Sequence, residues 1–559
     1  MRKLVVLAVV ALLSVPMALT PAGAKEGTKI TRRRPAQPAP HSITYQSARG
    51  MRALSAARAA GASGATVGSA AASAQGDFNN DGRLDLAIGA PEESFSATGD
   101  GSVNVIYGSA TGLVSTGNQL LGEGDFTVPF SDEAFGAALA AGDFNGDGFE
   151  DLAVGIPEWD SGGGADSGAV VVYQGSAAGL TATGNQLILQ GLNSVDDTSE
   201  AGDHFGASLA AANFGNGAAT DLAVGVPSEN LIGTDEGAAH VFYGGPAKLN
   251  LAGDAFFHQN VSLVEDVLES GDNFGSSLAA GNFGQSGQAD LAIGVPLEDV
   301  GVAIDAGAVN VLFGSANGVT NLNDQFWHQD SEGIKNVAEE ADSFGVSLAA
   351  ANLGKSAQAD LAIGAYLEGI SGQADLAGAV NVIYGGTTGL TATGNQFWSQ
   401  NSPAIAEASE LVDFFGWSLA AGNLGKTSHA DLAIGVPLES LGATNSNGVV
   451  HVLYGTSTGL TTAGAQFWSQ NSPGVLGANG NADEFGWSLA AANLGKSGQA
   501  DLAIGVPGDV VSAVAAGAVN VLYGTATGLS AAADQLWHQD SPGILGNAEA
   551  GDRFGHALG

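Results

Sequence analysis

A short string recurs seven times along this chain of 559 residues at an almost constant spacing. The string DLAIG or DLAVG begins at Asp85, Asp151, Asp221, Asp290, Asp360, Asp431 and Asp501, so that successive copies are 66 to 71 residues apart. A fixed period of this length indicates a repeat architecture, in which each copy is one structural unit that packs against its neighbours. The repeat therefore predicts a single domain for a length that would otherwise suggest several.

Each period contains four short runs that are typical of β-strands. In one period the runs are FGSSLAAGN from Phe274, DLAIGVP from Asp290, GAVNVLFG from Gly307 and DQFWHQ from Asp324. They are rich in β-branched or aromatic residues and are bounded by Gly, Asn, Asp or Pro. Four strands in about seventy residues predict an all-β fold, a seven-bladed β-propeller of four-stranded blades, because a solenoid coil is normally shorter.

The two ends of the repeat region are offset against each other. A Phe-Gly pair opens the first strand of each unit at Phe135, Phe205, Phe274, Phe344, Phe415, Phe485 and Phe554. The first DLA string has no such strand before it, and the last strand, FGHALG, has no DLA string after it. We therefore expect the C-terminal FG strand to complete the first blade and close the ring, which removes the free sheet edges. The alternative, a truncated eighth repeat, leaves an edge exposed.

Composition and charge exclude several classes of function. The chain has 57 acidic and 17 basic residues, a formal net charge of −40 and no cysteine. Such an acidic body argues against a nucleic-acid partner, and the fold does not depend on disulfides. Ten of the basic residues lie in the first 60 positions, so the rest of the chain is still more acidic.

The N-terminal region predicts export from the cell. Arg2 and Lys3 precede an apolar run that ends at Leu19, and residues 22–24 form a small-residue cleavage pattern, so residues 1–24 are predicted to be a signal peptide. Residues 25–75 are rich in Ala, Arg and Pro and are predicted to be a disordered linker, followed by the propeller over 76–559. We expect a secreted protein, extracellular or associated with the cell surface, without a membrane span.

The connection between the first two strands of a unit carries the clearest chemistry. It reads DFNNDGRLD over residues 77–85 and DFNGDGFED over residues 143–151. Oxygen-bearing side chains at positions 1, 3, 5 and 9, a glycine at 6 and a main-chain carbonyl at 7 suit a hard cation of calcium size. An EF-hand is excluded because Ile88 and Val154 stand where it needs a glutamate. An ordinary Asx turn is the alternative.

The combination of FG, an oxygen-ligand loop and DLAIGAP resembles the FG-GAP repeats of the integrin alpha-subunit β-propeller, in particular its bacterial secreted relatives. The resemblance covers about residues 76 to 559 and implies calcium in the blade loops and a role in extracellular recognition. Carried over to the first loop, it implies as ligands Asp77, Asn79, Asp81, Asp85 and the carbonyl of Arg83. In the second loop the implied ligands are Asp143, Asn145, Asp147, Asp151 and the carbonyl of Phe149.

The other five loops depart from this pattern. They read NFGNGAATD, NFGQSGQAD, NLGKSAQAD, NLGKTSHAD and NLGKSGQAD and keep only the final aspartate as a carboxylate. We therefore expect about two Ca²⁺ sites. Three of these loops contain a lysine, Lys355, Lys426 or Lys496, whose ammonium either replaces the lost cation beside the final aspartate or is simply solvated.

Thirteen further acids recur at the opposite ends of the same strands. An acid precedes each FG phenylalanine by two residues, and another follows the proline position of GVP by two, with Trp159 as the exception. These acids are Glu133, Asp203, Asp272, Asp342, Asp413, Asp483 and Asp552, and Glu93, Glu229, Glu298, Glu368, Glu439 and Asp509. One interpretation is a strongly negative surface that binds basic ligands or a bridging cation; the other is that each acid accepts hydrogen bonds from its own turn.

Signatures of catalysis are weak. The string GTSTG around Ser457 matches a hydrolase nucleophile pattern, but the equivalent turns of other units lack the central serine. We predict a non-catalytic, monomeric, calcium-binding propeller for extracellular recognition or adhesion, with a protein or polysaccharide as its ligand. The alternative is a secreted hydrolase or polysaccharide lyase on the same scaffold, which would need one cluster of unrepeated polar residues in the central channel.

Overall fold

Seven four-stranded antiparallel sheets follow one another along the chain and form a ring. The computed structural model describes residues 76–94, 99–122, 133–161, 164–370, 376–442 and 445–559, and these ranges contain no α-helix. The prediction of a seven-bladed β-propeller is therefore confirmed. The predicted signal peptide, residues 1–24, and the predicted linker, residues 25–75, lie outside the described residues.

The blades are numbered here in chain order, and each runs from the centre of the ring outwards. Blade 1 contains β1 (Leu86–Ala90), β2 (Ser102–Tyr107) and β3 (Val114–Gly122). Blade 2 contains β4 (Ala138–Gly142), β5 (Asp151–Ile156), β6 (Ala169–Gln174) and β7 (Thr181–Ile188). Blade 3 contains β8 (Ser208–Ala212), β9 (Asp221–Val226), β10 (Ala238–Tyr243) and β11 (Asn250–Phe257). Blade 4 contains β12 (Ser277–Gly281), β13 (Asp290–Val295), β14 (Ala308–Ser315) and β15 (Gly318–Trp327).

The remaining blades repeat the order. Blade 5 contains β16 (Ser347–Ala351), β17 (Asp360–Ala365), β18 (Ala379–Gly386) and β19 (Gly389–Trp398). Blade 6 contains β20 (Ser418–Gly422), β21 (Asp431–Val436), β22 (Val449–Tyr454) and β23 (Thr461–Trp468). Blade 7 contains β24 (Leu489–Ala492), β25 (Asp501–Val506), β28 (Ala518–Thr525) and β29 (Gly528–Trp537), and the ribbon β26 (Val510–Val511) with β27 (Val514–Ala515) lies between its second and third strands. The last strand is β30 (Ala557–Leu558).

The C-terminal strand completes blade 1, as the offset of the motifs predicts. Strand β30 pairs antiparallel with β1, with Leu558 opposite Ile88. Beyond this pair, the amide of Ala87 donates to the carbonyl of Gly559 at 2.6 Å, and the amide of Gly559 donates back at 2.8 Å. Both ends of the repeat region therefore belong to one sheet, and the ring has no gap between its first and last blades.

The blades pack through apolar faces that alternate with the strand period. The innermost strands are rich in alanine, and neighbouring innermost strands contact each other around the whole ring. The phenylalanine of every FG pair is 0% exposed. Between blades 2 and 3, for example, Val170 packs in one cluster with Phe205 and Leu222. Each unit thus buries its faces against its two neighbours, so a single blade could not bury them alone.

Two glycines of the repeat touch each other across every blade interface. A Cβ atom at Gly294 of blade 4 would lie 2.1 Å from the carbonyl oxygen of Gly345, the FG glycine of blade 5. Gly345 itself has a φ of 96°, which side chains rarely adopt. Similar distances, 2.1 to 2.2 Å to the next FG glycine, occur at Gly89, Gly155, Gly225, Gly364, Gly435 and Gly505. The glycine that ends each DLAIG or DLAVG string is therefore required because the backbone of the neighbouring blade leaves no room for a Cβ atom.

Replacing this glycine should destabilise the propeller. We expect Gly294→Ala to lower the free energy of unfolding by about 1–3 kcal/mol, because the new methyl group meets backbone that must shift. Gly287→Ala is the matched control, since a Cβ atom there meets nothing within 4 Å. Urea unfolding of the two variants and the parent measures the difference; equal midpoints for both variants would contradict the packing argument.

Candidate metal sites

A buried aspartate ends each loop between the first and second strands and ties it to the third strand. In blade 1 the Oδ2 atom of Asp85 accepts the amide N–H of Phe78 at 3.0 Å, and its Oδ1 atom accepts that of Gly108 at 2.9 Å. Asp151, Asp221, Asp290, Asp360 and Asp501 make the same two bonds, and Asp431 accepts from the amide of Gly455 at 2.9 Å. Position 9 of the loop is therefore structural in every blade.

The first predicted calcium loop is folded around its aspartate at position 1. The two carboxylate oxygens of Asp77 accept the amides of Asp81 at 2.9 Å and Gly82 at 2.7 Å. The side-chain oxygen of Asn79 accepts the amide of Asp81 as well, at 2.9 Å. Asp81 is exposed, whereas Asp85 is buried beneath the loop. The structure thus brings positions 1, 3 and 5 together on one turn, with a solvent-accessible carboxylate.

The second predicted calcium loop repeats this arrangement. Asp143 accepts the amides of Asp147 and Gly148, both at 3.0 Å, and Asn145 accepts that of Asp147 at 2.8 Å. Asp147 is exposed, as Asp81 is in the first loop. Below, residues 77–85 and 143–151 together are called the aspartate loops.

Glu150, which the sequence reasoning did not select, links the two aspartate loops. Its Oε2 atom accepts the amide of Asp77 at 2.7 Å, although the two residues belong to different blades. Burial, followed by the charges of Asp77 and Asp143, raises the pKa of Glu150. The two loops are therefore neighbours with an additional acid between them, a placement that only the ring geometry reveals.

The other five loops have asparagine in place of aspartate at their first position and are called the asparagine loops below. In four of them this side chain donates a hydrogen bond within the loop. The Nδ2 atom of Asn352 donates to the carbonyl of Ser356 at 2.9 Å, and Asn213, Asn282 and Asn493 donate to the carbonyl at position 5 in the same way. An amide donor at position 1 thus meets a carbonyl acceptor in these four loops.

The three loop lysines bind the outer hairpin and not the final aspartate. The Nζ atoms of Lys355, Lys426 and Lys496 lie 3.7, 3.7 and 3.3 Å from the ring centroids of Tyr384, Tyr454 and Tyr523. Each also donates to a main-chain carbonyl, that of Gly394, Gly464 or Ala533. Among the salt bridges of the described ranges, none joins these lysines to an aspartate. The lysines therefore make cation–π contacts, which neither prediction included. Burial, the largest cause, lowers the pKa of each lysine, and the charge of the final aspartate opposes this shift, so the predicted interaction between ammonium and aspartate stays a prediction.

The thirteen recurring acids at the opposite strand ends do not form an exposed negative surface. All of them are at most 6% exposed. Asp272, for example, accepts the amide of Glu269 at 2.8 Å, which is a bond within its own turn. Burial, its largest cause, raises the pKa of Asp272 to about 8 and that of Glu298 to about 10. The expected exposed surface for basic ligands is therefore not formed, and the structure supports the alternative of acids held in their turns.

Four sets of three acids converge at these strand ends, in blades 3 to 6. In each set, one ligand atom from every acid lies within 4.8 Å of the other two. The sets are Glu200, Asp203 and Glu229; Glu269, Asp272 and Glu298; Glu339, Asp342 and Glu368; and Glu410, Asp413 and Glu439. The first member of each set is exposed and was missed from the sequence, although it recurs five residues before the FG phenylalanine.

None of the ten predicted calcium ligands belongs to such a set in the described ranges. In the aspartate loops the side-chain oxygens of positions 1 and 3 gather around the amide of position 5, whereas the carboxylates of the four sets converge from separate connections. Both can hold a hard cation, since carboxylate oxygens are the ligands that such ions prefer.

Burial leaves the final aspartates of the asparagine loops with raised pKa values. Desolvation, which outweighs the bonds from backbone amides, raises the pKa of Asp221, Asp290, Asp360, Asp431 and Asp501 from 3.8 to about 7. An acid with a raised pKa in the folded state binds more protons folded than unfolded between its two pKa values.

The metal-free propeller should therefore lose stability as the pH rises from about 4 to about 7. We expect the urea midpoint of chelator-treated protein to be higher at pH 5 than at pH 7.5. The stability that these protonated carboxyl groups contribute is fully present below their unfolded-state pKa and is lost above their folded-state pKa. A midpoint that rises with pH over this window would show that these carboxylates are ionised in the folded protein.

Comparison with known proteins agrees with the repeat motifs. Residues 69–106 and 135–173 match the FG-GAP repeat. A stretch of 104 residues is 43% identical to phosphatidylinositol-glycan-specific phospholipase D of Mus musculus, covering 18% of this chain and 12% of that protein. The Homo sapiens protein of the same name is 34% identical over 31% of this chain and 20% of its own length. Integrin alpha-PS2 of Drosophila melanogaster is 27% identical over 44% of this chain and 16% of its own length.

These matches confirm that the chain contains FG-GAP repeats and is similar to integrin alpha subunits. The matched segments cover 12% to 20% of the length of these three relatives. A helix with the length and apolarity that a membrane crossing requires is not found in the described ranges.

Proposed function

We propose that this FG-GAP propeller is a secreted, calcium-binding module that acts in extracellular recognition or adhesion and is not an enzyme. The observation that carries the calcium assignment is the contrast between the two kinds of loop on one scaffold. In four asparagine loops the side chain at position 1 donates to a carbonyl of its own loop, whereas in the aspartate loops both oxygens at position 1 accept amides and no donor stands there.

The residues of the aspartate loops fit a calcium ion. Each loop offers side-chain oxygens from four residues, the acids at positions 1, 5 and 9 and the amide at position 3, besides the carbonyl of Arg83 or Phe149. The acids at positions 1 and 5 belong to one turn and repel each other unless a cation offsets their charge. Bound calcium would supply that positive charge. The backbone bonds to Asp77 and Asp143 already hold the turn, so little ordering of the loop would be needed.

The extracellular role is supported by the N-terminal sequence and by the relatives. Residues 1–24 have the pattern of a signal peptide, and the integrin alpha family, which this chain resembles, implies recognition outside the cell. The blades are nearly equivalent, which suits a binding scaffold. We propose an extracellular protein or polysaccharide as the ligand and a monomer as the active form.

One cluster of unrepeated polar residues bears on the catalytic alternative. Arg553 lies between blades 7 and 1, where its Nη2 atom is 3.3 Å from Glu484 and its Nε atom is 3.2 Å from the Nδ1 atom of His556. The Arg553 guanidinium lies over the ring of Trp487, 4.7 Å from its centroid. These groups pair with one another across the junction of blades 7 and 1, so we assign them a packing role and favour recognition as the function. The similarity to phospholipase D covers too little of that protein to carry its activity here.

Calcium titration tests the assignment of the loops. We expect chelator-treated protein to lose two Ca²⁺ sites when Asp81 and Asp147 are both replaced by alanine, because each variant loop loses its exposed carboxylate. Binding should also raise the melting temperature, since a ligand at 100 times its Kd stabilises the folded state by about 2.7 kcal/mol. Isothermal titration calorimetry counts the sites.

The matched control for this titration is Gly217→Ala, at position 5 of an asparagine loop where a Cβ atom meets only one atom, at 3.7 Å. This variant should leave the number of calcium sites unchanged. If Asp81→Ala with Asp147→Ala binds as many calcium ions as the parent, the loops are Asx turns and the proposal fails.

Recognition is tested by binding of the labelled protein to a panel of extracellular matrix proteins and polysaccharides. We expect saturable binding to at least one member, lost in chelator and weakened in the variant with Asp81→Ala and Asp147→Ala. Turnover of a panel member without stable binding would instead favour the hydrolase or lyase alternative.

A further inference from the structure

The four sets of three acids, called the carboxylate triads below, lie on the face of the ring opposite the aspartate loops. Their members stand before the innermost strand and after the second strand, whereas the loops join these strands at their other ends. Each triad has two buried acids and one exposed acid, so it has a polar interior with an opening to solvent.

Each triad is braced by hydrogen bonds that use only some of its oxygens. In blade 3 the Oδ2 atom of Asp203 accepts the amide of Glu200 at 2.6 Å. A glutamine that follows the outer strand of the preceding blade, Gln190, donates its Nε2 atom to the Oε2 atom of Glu229 at 2.5 Å. Gln259, Gln329 and Gln400 make the same contact with Glu298, Glu368 and Glu439.

Other oxygens at the same place are buried and have no hydrogen-bond partner. Asp203 and Glu229 are both 0% exposed, and their Oδ1 and Oε1 atoms are unpaired. The Oε1 atom of Gln190, which is 2% exposed and has its amide against the triad, is unpaired too. The carbonyl oxygens of Gln259, Gln329 and Gln400 share this state, as do those of Gln470 and Gln539 beside blades 7 and 1, whereas the unpaired Oδ1 and Oε1 atoms of two converging acids occur together in blade 3. Buried oxygens without partners are costly, so several of them around one point favour a bound cation or donor between them.

We propose that each carboxylate triad binds a divalent cation of the calcium class, so that the propeller has four cation sites besides those of the aspartate loops. Three carboxylates and a nearby amide oxygen provide hard ligands, and water can complete the coordination through the exposed side. Calcium fits such a set better than magnesium, because it accepts irregular geometry and mixed monodentate and bidentate carboxylates. The proposal does not rest on calcium binding by the aspartate loops.

Among the described residues, blades 7, 2 and 1 have no triad, and their sequences show which acids a triad needs. In blade 7 the exposed acid is replaced by Gly480, although Asp483 and Asp509 remain. In blade 2 Trp159 replaces the acid after the second strand. Blade 1 has Glu549, Asp552 and Glu93, but these three acids are not among the sets of described residues whose ligand atoms converge within 4.8 Å. The repeat therefore contains its own controls.

The test separates the triads from the loops by a background variant. The full chain with Asp81→Ala and Asp147→Ala is freed of metal by chelation and titrated with CaCl₂ by calorimetry at pH 7.5. We expect four sites. Glu200→Gln, Glu269→Gln, Glu339→Gln and Glu410→Gln change only exposed acids, so the fold should persist, and each should weaken one of the four sites by about tenfold or more. Glu340→Gln, an exposed acid outside the triads, is the control and should change nothing.

Two results would overturn the proposal. No saturable calcium binding in the background variant would overturn the proposal and leave protons as the only positive charge in the triads. Binding that the four glutamine variants do not weaken would overturn it as well. If the background variant and the parent bind equally, the loop assignment fails while the triad assignment stands.

Discussion

The buried aspartate at the end of each loop is the interaction on which the blades depend. Its two oxygens accept amides from the loop start and from the third strand, so that one side chain joins three segments, as Asp290 does for Phe283 and Gly314. Each amide would cost about 1–3 kcal/mol if it were left buried without an acceptor. Six of the seven blades have both bonds, and in blade 6 Asp431 has the bond to the third strand. The loops can therefore vary in sequence while the blade keeps its structure.

This arrangement explains how one scaffold carries loops of two kinds. With position 9 fixed, position 1 decides the chemistry of the loop. Asparagine donates to a carbonyl and closes the turn, as at Asn282, whereas aspartate accepts amides with both carboxylate oxygens, as at Asp143. In three asparagine loops a lysine adds a contact with a tyrosine of the same blade, which ties the loop to the outer hairpin. The acidic and the neutral loops are thus alternative solutions to closing the same connection.

The opposite face shows where sequence reasoning was insufficient. The motifs identified the recurring acids but did not predict that they are buried, because an acid near a turn is usually exposed. The ring places Gln190 of one blade against Glu229 of the next, and it brings Glu150 to the first aspartate loop. Both contacts join residues 39 or 73 positions apart, a separation at which local patterns carry no information about distance.

The sequence by itself determined the number of blades, the order of strands, the closure by the last strand and the division of the loops into two kinds. These features follow from the repeat period, from the strand patterns and from the choice of Asp or Asn at position 1 of the loop. The strand patterns and this choice act through interactions between residues that are close in the sequence. Only the tertiary structure decided that the thirteen recurring acids are buried, that four sets of three converge, and that the loop lysines face tyrosines. Burial and the convergence of separate connections depend on how blades pack against each other, which a repeat pattern does not encode.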